Sequence, residues 1–170
     1  MIPNGIYMSK LIYLMPVWMG CEEYLVNALQ VNMNKVARLV TKLDIFTPTS
    51  ILLQQCGWMS VKQLMAYHSI LLLHKTLKNQ TPSYLYQKVT SSPEHYHTRQ
   101  AANYAAALEA AGVTEQPGVD DCELNITRRS WCWSSVRWYN RLPPGLRAEN
   151  KLGKFKTRLK DWVSLNIDIN

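Results

Sequence analysis

The sequence predicts a mainly α-helical protein, an irregular helical bundle that ends in two basic helices. Apolar residues recur at helical spacing over most of the chain, and helix-start and helix-stop signals separate these stretches. Of the 170 residues, 47% are hydrophobic, which is enough for a folded core. These patterns divide the chain into a helical segment at 1–90, a connector with a flexible acidic loop at 91–129, and basic, tryptophan-rich helices at 130–170.

An apolar first helix is predicted from Ile6 to Met19. The run that follows Lys10 has some features of a signal peptide, but Pro16 interrupts it and no small-residue cleavage site follows. It is also too short to span a bilayer. We therefore expect a buried helix, or one whose packing partners precede Met1.

A long helix is predicted from Glu22 to Leu43, since two acids open it and Lys42 lies near its end. Its expected buried stripe consists of Leu25, Leu29, Val36, Val40 and Leu43. Lys35, Arg38 and Lys42 recur at spacings of three and four along a neighbouring face. That face is either simply solvated or in contact with phosphates.

Three helix-start signals follow in the next 40 residues. Thr47–Pro48 predicts a short helix, with Thr as N-cap and Pro at the first helical position, that ends at Gly57. Ser60–Gln63 has a capping-box pattern that opens a helix over Val61–Lys78. Thr81–Pro82 then starts another short helix.

No metal site is predicted from the histidines. His68 and His74 are six residues apart on one helix, which is not the spacing of two ligands, so we expect core or edge residues. His95 and His97 are close in sequence but have no neighbouring cysteine or carboxylate.

The sequence contains no recognisable nucleophile and base pair, so we predict no catalytic residue, no cofactor and no enzyme activity for this chain on its own. Cys56 and Cys132 are interpreted as packing residues. The four cysteines lack C-x-x-C spacing, which favours a reduced intracellular protein, in the nucleus or the cytoplasm.

The connector has mixed signals. Ala101–Ala111 is alanine-rich and favours a helix, and Gly112–Asp121 predicts a flexible acidic loop. Glu123–Arg129 fits either a short strand or a coil, so the connector has room for one short β-hairpin.

The net charge of the protein is concentrated in Arg128–Lys160. This segment contains ten of the 19 basic residues and one of the 12 acidic residues, Glu149, so it carries +9 and the remainder of the chain −2. Four of the six tryptophans lie in the segment or just beyond it. Basic residues interleaved with aromatic residues indicate a polyanion partner, most simply nucleic acid.

The first tail helix is predicted from Ser130 to Leu142, with Ser130 as N-cap. One face collects Cys132, Ser135, Tyr139 and Leu142, and the opposite face carries Ser134, Arg137 and Arg141. Pro143 ends the helix, and Pro144–Gly145 predicts a turn.

The second tail helix is predicted to begin near Lys151. Its apolar stripe consists of Leu152, Phe155, Leu159, Trp162 and Val163. The stripe has Lys156 and Lys160 on one side, and Lys151, Lys154 and Arg158 on the other. These cations either extend from the edge of a packed helix into water or face a polyanion.

Several motifs resemble the C-terminal end of reverse transcriptases from non-LTR retrotransposons. The strongest is the W-Y-N-R-L-P-P-x-L-R run at 138–147, followed by F-K-x-x-L-K-x-W at 155–162. Others are L-Q-x-x-x-N-K-x-A-R-L-V at 29–40, F-T-P-T at 46–49, C-G-W-M-S-V at 56–61 and Y-x-T-R-Q-A at 96–101. The resemblance covers nearly the whole chain through the order and spacing of these motifs.

The chain departs from this family in two ways. Asn32, Met33 and Val36 stand where the family usually has a polar residue, Gln and Ala. The family's palm carries a Y-A-D-D-type sequence, and nothing similar surrounds Asp120–Asp121. The resemblance therefore implies the region after the palm, thumb-like and beyond, with the upstream palm as partner.

The resemblance and the charge together predict sequence-nonspecific binding of RNA or DNA through backbone phosphates. The candidate residues are Arg137, Arg141, Lys154, Lys156, Arg158 and Lys160, followed by Lys35, Arg38 and Lys42. The alternatives are a helical protein-interaction module or an orphaned fragment of the element. Peripheral membrane binding through the last helix requires nothing beyond its charge, and we expect no membrane partner.

Overall fold

The computed structural model describes residues 2–13, 15–79, 82–90 and 131–167, and all regular elements within these ranges are helical. In chain order they are α1 (Ile2–Ile12), a 3-10 turn (Met15–Gly20), α2 (Glu23–Thr41), α3 (Thr49–Cys56), α4 (Val61–Asn79), α5 (Ser83–Thr90), α6 (Trp131–Asn140), α7 (Pro144–Arg147) and α8 (Leu152–Asn166). The predicted mainly α fold is confirmed. The connector with its hairpin, and the His95 and His97 pair, lie outside the described residues.

The described residues form two compact units. The first contains those up to Ser69 together with those from Lys156 onward, and the second contains those from Ile70 to Phe155. Helices α4 and α8 each contribute residues to both units. The division predicted from sequence, with borders near residues 90 and 130, stays a prediction.

The apolar N-terminal segment is two elements and not one helix. Helix α1 ends at Ile12, and Pro16 lies in the 3-10 turn, where its missing N–H cannot interrupt an α-helical ladder. Leu11 and Met15 are buried in the core of the first unit with residues of α2 and α4. Ile6, Tyr13 and Val17 are exposed, so the segment is buried only in part, and the alternative that its packing partners precede Met1 stays a prediction.

Helix α2 confirms the predicted long helix but buries a different face. Leu25 and Val40 of the predicted stripe are exposed, whereas Val26, Met33 and Ala37 are buried together with Asn34. The observed stripe is displaced by one residue, which is about 100° around the helix axis. The reason is that α3 packs on this face, and Asn34 Nδ2 donates a hydrogen bond of 3.1 Å to Thr49 Oγ1 at the start of α3.

Local signals set the ends of α3 and the start of α4. Helix α3 starts one residue later than predicted, with Pro48 at the N-cap position in an extended conformation. Gly57 ends it in the left-handed region at φ +66°, as the sequence predicts. The capping box is confirmed, since Ser60 N–H donates to Gln63 Oε1 and Gln63 N–H donates to Ser60 Oγ.

Gln63 also contacts the end of the described chain. Its Nε2 donates a 2.9 Å hydrogen bond to the carbonyl oxygen of Ile167, which directly follows α8. Both residues are buried in the first unit. One side chain therefore satisfies groups at the start of α4 and beyond the end of α8.

The core of the second unit is built from the C-terminal part of α4, α6, α7 and the start of α8. Ser135, Tyr139 and Leu142 are buried, which confirms the predicted inner face of α6 as far as the described side chains show it. The turn predicted at Pro144–Gly145 is instead the short helix α7, because Pro144 has the fixed φ that suits the first helical position and Pro143 occupies the N-cap position with φ −55° and ψ 142°. Leu146 of α7 completes this core.

Candidate nucleic-acid interface

Helix α8 is anchored along one side by an apolar stripe. Phe155, Leu159 and Val163 are fully buried, as predicted, whereas Leu152 is 37% exposed, so the buried stripe starts one turn later than the sequence predicts. Leu152 is the first residue of the helix, and the stripe is covered only from the following turn. The stripe fixes the rotation of α8 and therefore fixes which side chains face water.

The predicted cations of α8 lie on both edges of the buried stripe. At 100° per residue, Lys156 and Lys160 fall on one side of it, and Lys154 and Arg158 fall on the other. All four side chains are exposed. The helix therefore presents positive charge along two parallel edges.

Four residues lie between these two cationic edges, on the side of α8 opposite the core. They are the small residues Gly153, Thr157 and Ser164 and the acid Asp161, and all four are exposed. A Cβ atom placed on Gly153 would have no atom within 4 Å, so the space outside the helix is open there. A polyanion can approach the α8 backbone closely near Gly153, where lysines reach it from both edges, whereas the carboxylate of Asp161 opposes its approach further along the helix.

Three lysines of α8 have no ion-pair partner among the described residues. Lys154, Lys156 and Lys160 form no ion pair with any residue in the described ranges, whereas Lys62 and Glu23 do so elsewhere, at 3.2 Å. A lysine without a carboxylate neighbour can release its counterions to a phosphate chain without first breaking an internal contact.

The other predicted arginines are Arg137, on the outer face of α6, and Arg141, which directly follows the last residue of α6. Arg137 and Arg141 are exposed, one helical turn apart. The guanidinium carbon of Arg141 lies 5.1 Å from the ring centroid of Trp138. This cation–π contact restricts the long side chain and keeps its donors at the surface.

Arg147, which belongs to the W-Y-N-R-L-P-P-x-L-R motif, is half-buried and differs from these surface arginines. Its Nε is buried without a hydrogen-bond partner among the described residues. Burial raises the pKa of Tyr139 to about 12, and the positive charge of Arg147 opposes that rise. The charge of Arg147 therefore influences a buried side chain of the second unit. Helical periodicity does not predict a charged residue at this position.

The predicted cations of α2 form a strip near its C-terminal end. Lys35 and Lys42 are exposed, and Arg38 is half-buried with its Nε lacking a hydrogen-bond partner in the described part of the chain. Lys42 follows the helix in the left-handed region, at φ 56°, and its N–H donates to the carbonyl oxygen of Arg38 at 2.7 Å.

The nine candidate residues fall into two groups, one in each compact unit. The first unit contains Lys35, Arg38, Lys42, Lys156, Arg158 and Lys160, and the second contains Arg137, Arg141 and Lys154. Each group has several surface cations on helices anchored by buried side chains. Either group can neutralise phosphates.

Two polar residues of the L-Q-x-x-x-N motif have a structural role that the sequence analysis missed. Gln30 Nε2 donates to Asn34 Oδ1 at 2.9 Å, and Gln30 Oε1 accepts the N–H of Val61 at 2.8 Å. Together with the bond from Asn34 to Thr49, this network connects α2 to the first turns of α3 and α4. The sequence does contain a signal for this contact, because Gln30 and Asn34 are four residues apart and therefore neighbours on one face of the helix.

His74 is a core histidine, as expected. Its ring stacks on Phe155 with centroids 3.6 Å apart, and its Nδ1 lies 3.1 Å from the hydroxyl of Tyr139. The pKa of His74 is lowered to about 4, mainly by burial and also by the positive charge of Lys78, while Glu149 partly opposes both effects. His74 is therefore neutral at physiological pH and contributes no charge to the surface.

Cys56 lies against α2 and has the environment of a packing residue. It is half-buried, and its Sγ is 4.0 Å from the carbonyl oxygen of Ala37. Burial raises the pKa of the thiol, which is opposite to the shift that activates a nucleophilic cysteine. The side chain of Cys132 lies outside the described residues.

Within the described ranges, no cluster of three or more His, Cys, Asp or Glu side chains is arranged to hold a metal ion. Among the same residues, no helix has both the length and the apolar character needed to cross a membrane. Comparison of the chain with protein-family models, with curated proteins and with solved structures found no match. A functional proposal therefore depends on the motifs of the chain and on the placement of its charges.

Proposed function

We propose that this chain is a non-catalytic C-terminal part of a non-LTR retrotransposon reverse transcriptase that holds template–primer nucleic acid through its backbone phosphates. The motif resemblance supports the parentage. The observation that carries the binding role is the pair of cationic edges on α8, where Lys154, Lys156 and Lys160 are exposed and have no ion pair among the described residues.

The mechanism is electrostatic and positional. Lysine and arginine contacts to phosphates set the position of a nucleic acid without reading its sequence. An RNA–DNA hybrid is close to A-form, so a protein recognises it by shape and backbone. The upstream palm is the partner that performs synthesis, and the complex works in the nucleus or the cytoplasm.

Salt dependence of binding tests this proposal. If roughly five phosphates are engaged, log K for a labelled RNA–DNA hybrid should fall against log salt with a slope of about −4. The triple variant Lys154→Gln, Lys156→Gln and Lys160→Gln should make that slope shallower by about one for each phosphate that is no longer neutralised. Fluorescence anisotropy at several salt concentrations measures both slopes.

The matched control is Lys75→Gln, an exposed lysine on α4 outside the candidate set. It changes net charge by one without touching either cationic edge, so its slope should equal that of the wild type. No binding at low salt, or an affinity that does not change with salt, would remove the nucleic-acid role.

A second candidate function is a helical protein-interaction module. It is favoured by the exposed apolar side chains of the N-terminal segment, where Ile6, Tyr13 and Val17 are 59%, 71% and 67% exposed. Analytical ultracentrifugation of the wild type and of Tyr13→Ser with Val17→Ser distinguishes the two. Self-association that the serine variant abolishes, without any polyanion binding, would favour the module.

A further inference from the structure

The turn between α2 and α3 has a fixed geometry. The carbonyl oxygen of Asp44 accepts the N–H of Thr47 at 3.1 Å, which closes a four-residue β-turn with Ile45 and Phe46 at its centre. Asp44 Oδ1 also accepts the N–H of Phe46 at 2.9 Å. Aspartate at the first position is typical of such turns because its side chain supports the backbone in this way.

The two central residues are unusual for a turn that only connects helices. Central turn positions favour proline, glycine, asparagine and aspartate, yet here they are isoleucine and phenylalanine. Ile45 is 70% exposed and Phe46 is 91% exposed. An ordered turn that holds an aromatic ring in water breaks the local rules of folding, and such departures are expected at functional sites.

A strip of positive charge leads to this turn. Lys35 and Arg38 lie about 60° apart around α2, and Lys42 follows the end of the helix, about 10 Å along its axis from Lys35. Lys35 and Lys42 have no ion pair with any residue in the described part of the chain, and the nearby carboxylate of Asp44 is bound to Phe46 N–H. The charge of the strip is complementary to a chain of phosphates.

We propose that the Phe46 turn is a stacking site for an unpaired base of single-stranded nucleic acid, whose preceding phosphates lie along Lys35, Arg38 and Lys42. Aromatic side chains next to a cationic track are the usual means of binding single strands without sequence preference. The bases of a duplex are already stacked on one another and are not open to a protruding ring.

The stacking site rests on the proposed nucleic-acid role and specifies the form of the ligand at this end of the first unit. A protein partner would also cover Phe46, but its carboxylates would have to match the spacing of the cations of α2, whereas every nucleic acid carries regularly spaced phosphates. Single-stranded RNA or DNA accounts for both the ring and the charges.

The test compares two single-stranded probes of equal length and charge by fluorescence anisotropy. One is an oligothymidylate, and the other has the same backbone with abasic residues. Phe46→Ala should weaken binding of the oligothymidylate about tenfold, within the range known for loss of one base–aromatic stack, and leave the abasic probe unchanged. Phe46→Trp should retain the affinity for the oligothymidylate.

Leu39→Ala is the matched control, since Leu39 is another large apolar side chain on α2 and is 80% exposed. It should not affect either probe. Equal oligothymidylate affinity for Phe46→Ala and wild type would overturn the stacking site, and salt-dependent binding by both would leave the phosphate-binding role intact. No binding of any probe by the wild type would overturn both proposals.

Two further outcomes also contradict the stacking site. Equal loss of both probes in Phe46→Ala would show that the ring supports the fold of the turn and not a base. Loss of self-association in ultracentrifugation, with unchanged oligonucleotide binding, would show that Phe46 contacts protein.

Discussion

Helices α2 and α8 both combine an apolar stripe with cations at helical spacing, yet the sequence predicts the buried face of only one of them. On α8 the apolar residues form one stripe, and Phe155, Leu159 and Val163 are buried as predicted. On α2 apolar residues occur on two adjacent faces, and the helix buries the one that carries Asn34. Periodicity predicts the orientation of a helix when only one apolar face exists. On α2, the face that is buried is the one on which α3 packs and from which Asn34 forms its hydrogen bonds.

The largest expected effect concerns the anchor of α8. Phe155→Ala should lower the free energy of unfolding by about 3–5 kcal/mol, because it removes a fully buried ring and leaves a cavity. Leu152→Ala, in the part of the predicted stripe that is exposed, should cost less than about 1 kcal/mol. Urea denaturation measures both. If both variants lowered the free energy of unfolding equally, Leu152 would belong to the buried stripe, as the sequence predicts.

The same anchor should make stability depend on pH through His74, which stacks on Phe155. The pKa of His74 is lowered from 6.5 to about 4 on folding, so the unfolded chain binds the proton more tightly. Stability is therefore complete above pH 6.5 and declines as the pH falls towards 4, by on the order of 3 kcal/mol.

Urea midpoints between pH 7 and pH 4 check this dependence, with His74→Gln as the variant that removes the titrating group. The substitution also changes packing, which shifts the urea midpoints of the variant at every pH. The quantity to compare is therefore the slope of the midpoint against pH. If His74→Gln and the wild type lose stability in parallel over this range, the pH dependence arises elsewhere.

On α2 the expected effect is smaller and comes from polar contacts. Asn34→Ala should cost about 1–3 kcal/mol, since it leaves Gln30 and Thr49 without their partner. Asn32→Ala, exposed on the same helix, should stay within about 0.5 kcal/mol. A small cost for Asn34→Ala would mean that packing, and not the hydrogen-bond network, selects the buried face of α2.

The smallest effect has the opposite sign. Lys42→Gly should stabilise the protein by about 0.5–1 kcal/mol, because glycine adopts the left-handed conformation at φ 56° without strain. Lys35→Gly, inside α2, should destabilise it by about 1 kcal/mol. Thermal melts show the two signs. Both variants should also make the salt dependence of nucleic-acid binding shallower. Lys42→Gly should therefore raise the stability of the fold while it weakens nucleic-acid binding.

Much of the fold follows from signals that are local in sequence. The capping box at Ser60–Gln63, the glycine stop at Gly57 and the inner face of α6 each depend on residues a few positions apart. The sequence does not reveal that Gln30 accepts a hydrogen bond from Val61, because that contact requires the packed positions of two helices.

The candidate site divides in the same way. The exposure of Lys154, Lys156 and Lys160 follows from the stripe beside them. The burial of Arg147 and the protrusion of Phe46 do not follow from periodicity, since one lies in a short helix after two prolines and the other in a turn. Residues outside regular helices take their environment from tertiary structure.

The hydrogen bond from Gln63 to the carbonyl oxygen of Ile167 joins positions 104 residues apart and sets a minimum length for the chain. A truncation that removes Ile167 would leave the amide of Gln63 buried without an acceptor, and this amide belongs to the side chain that also caps α4. Loss of Ile167 should therefore destabilise the first turn of α4. Shortened versions of the protein should tolerate deletion only up to Ile167.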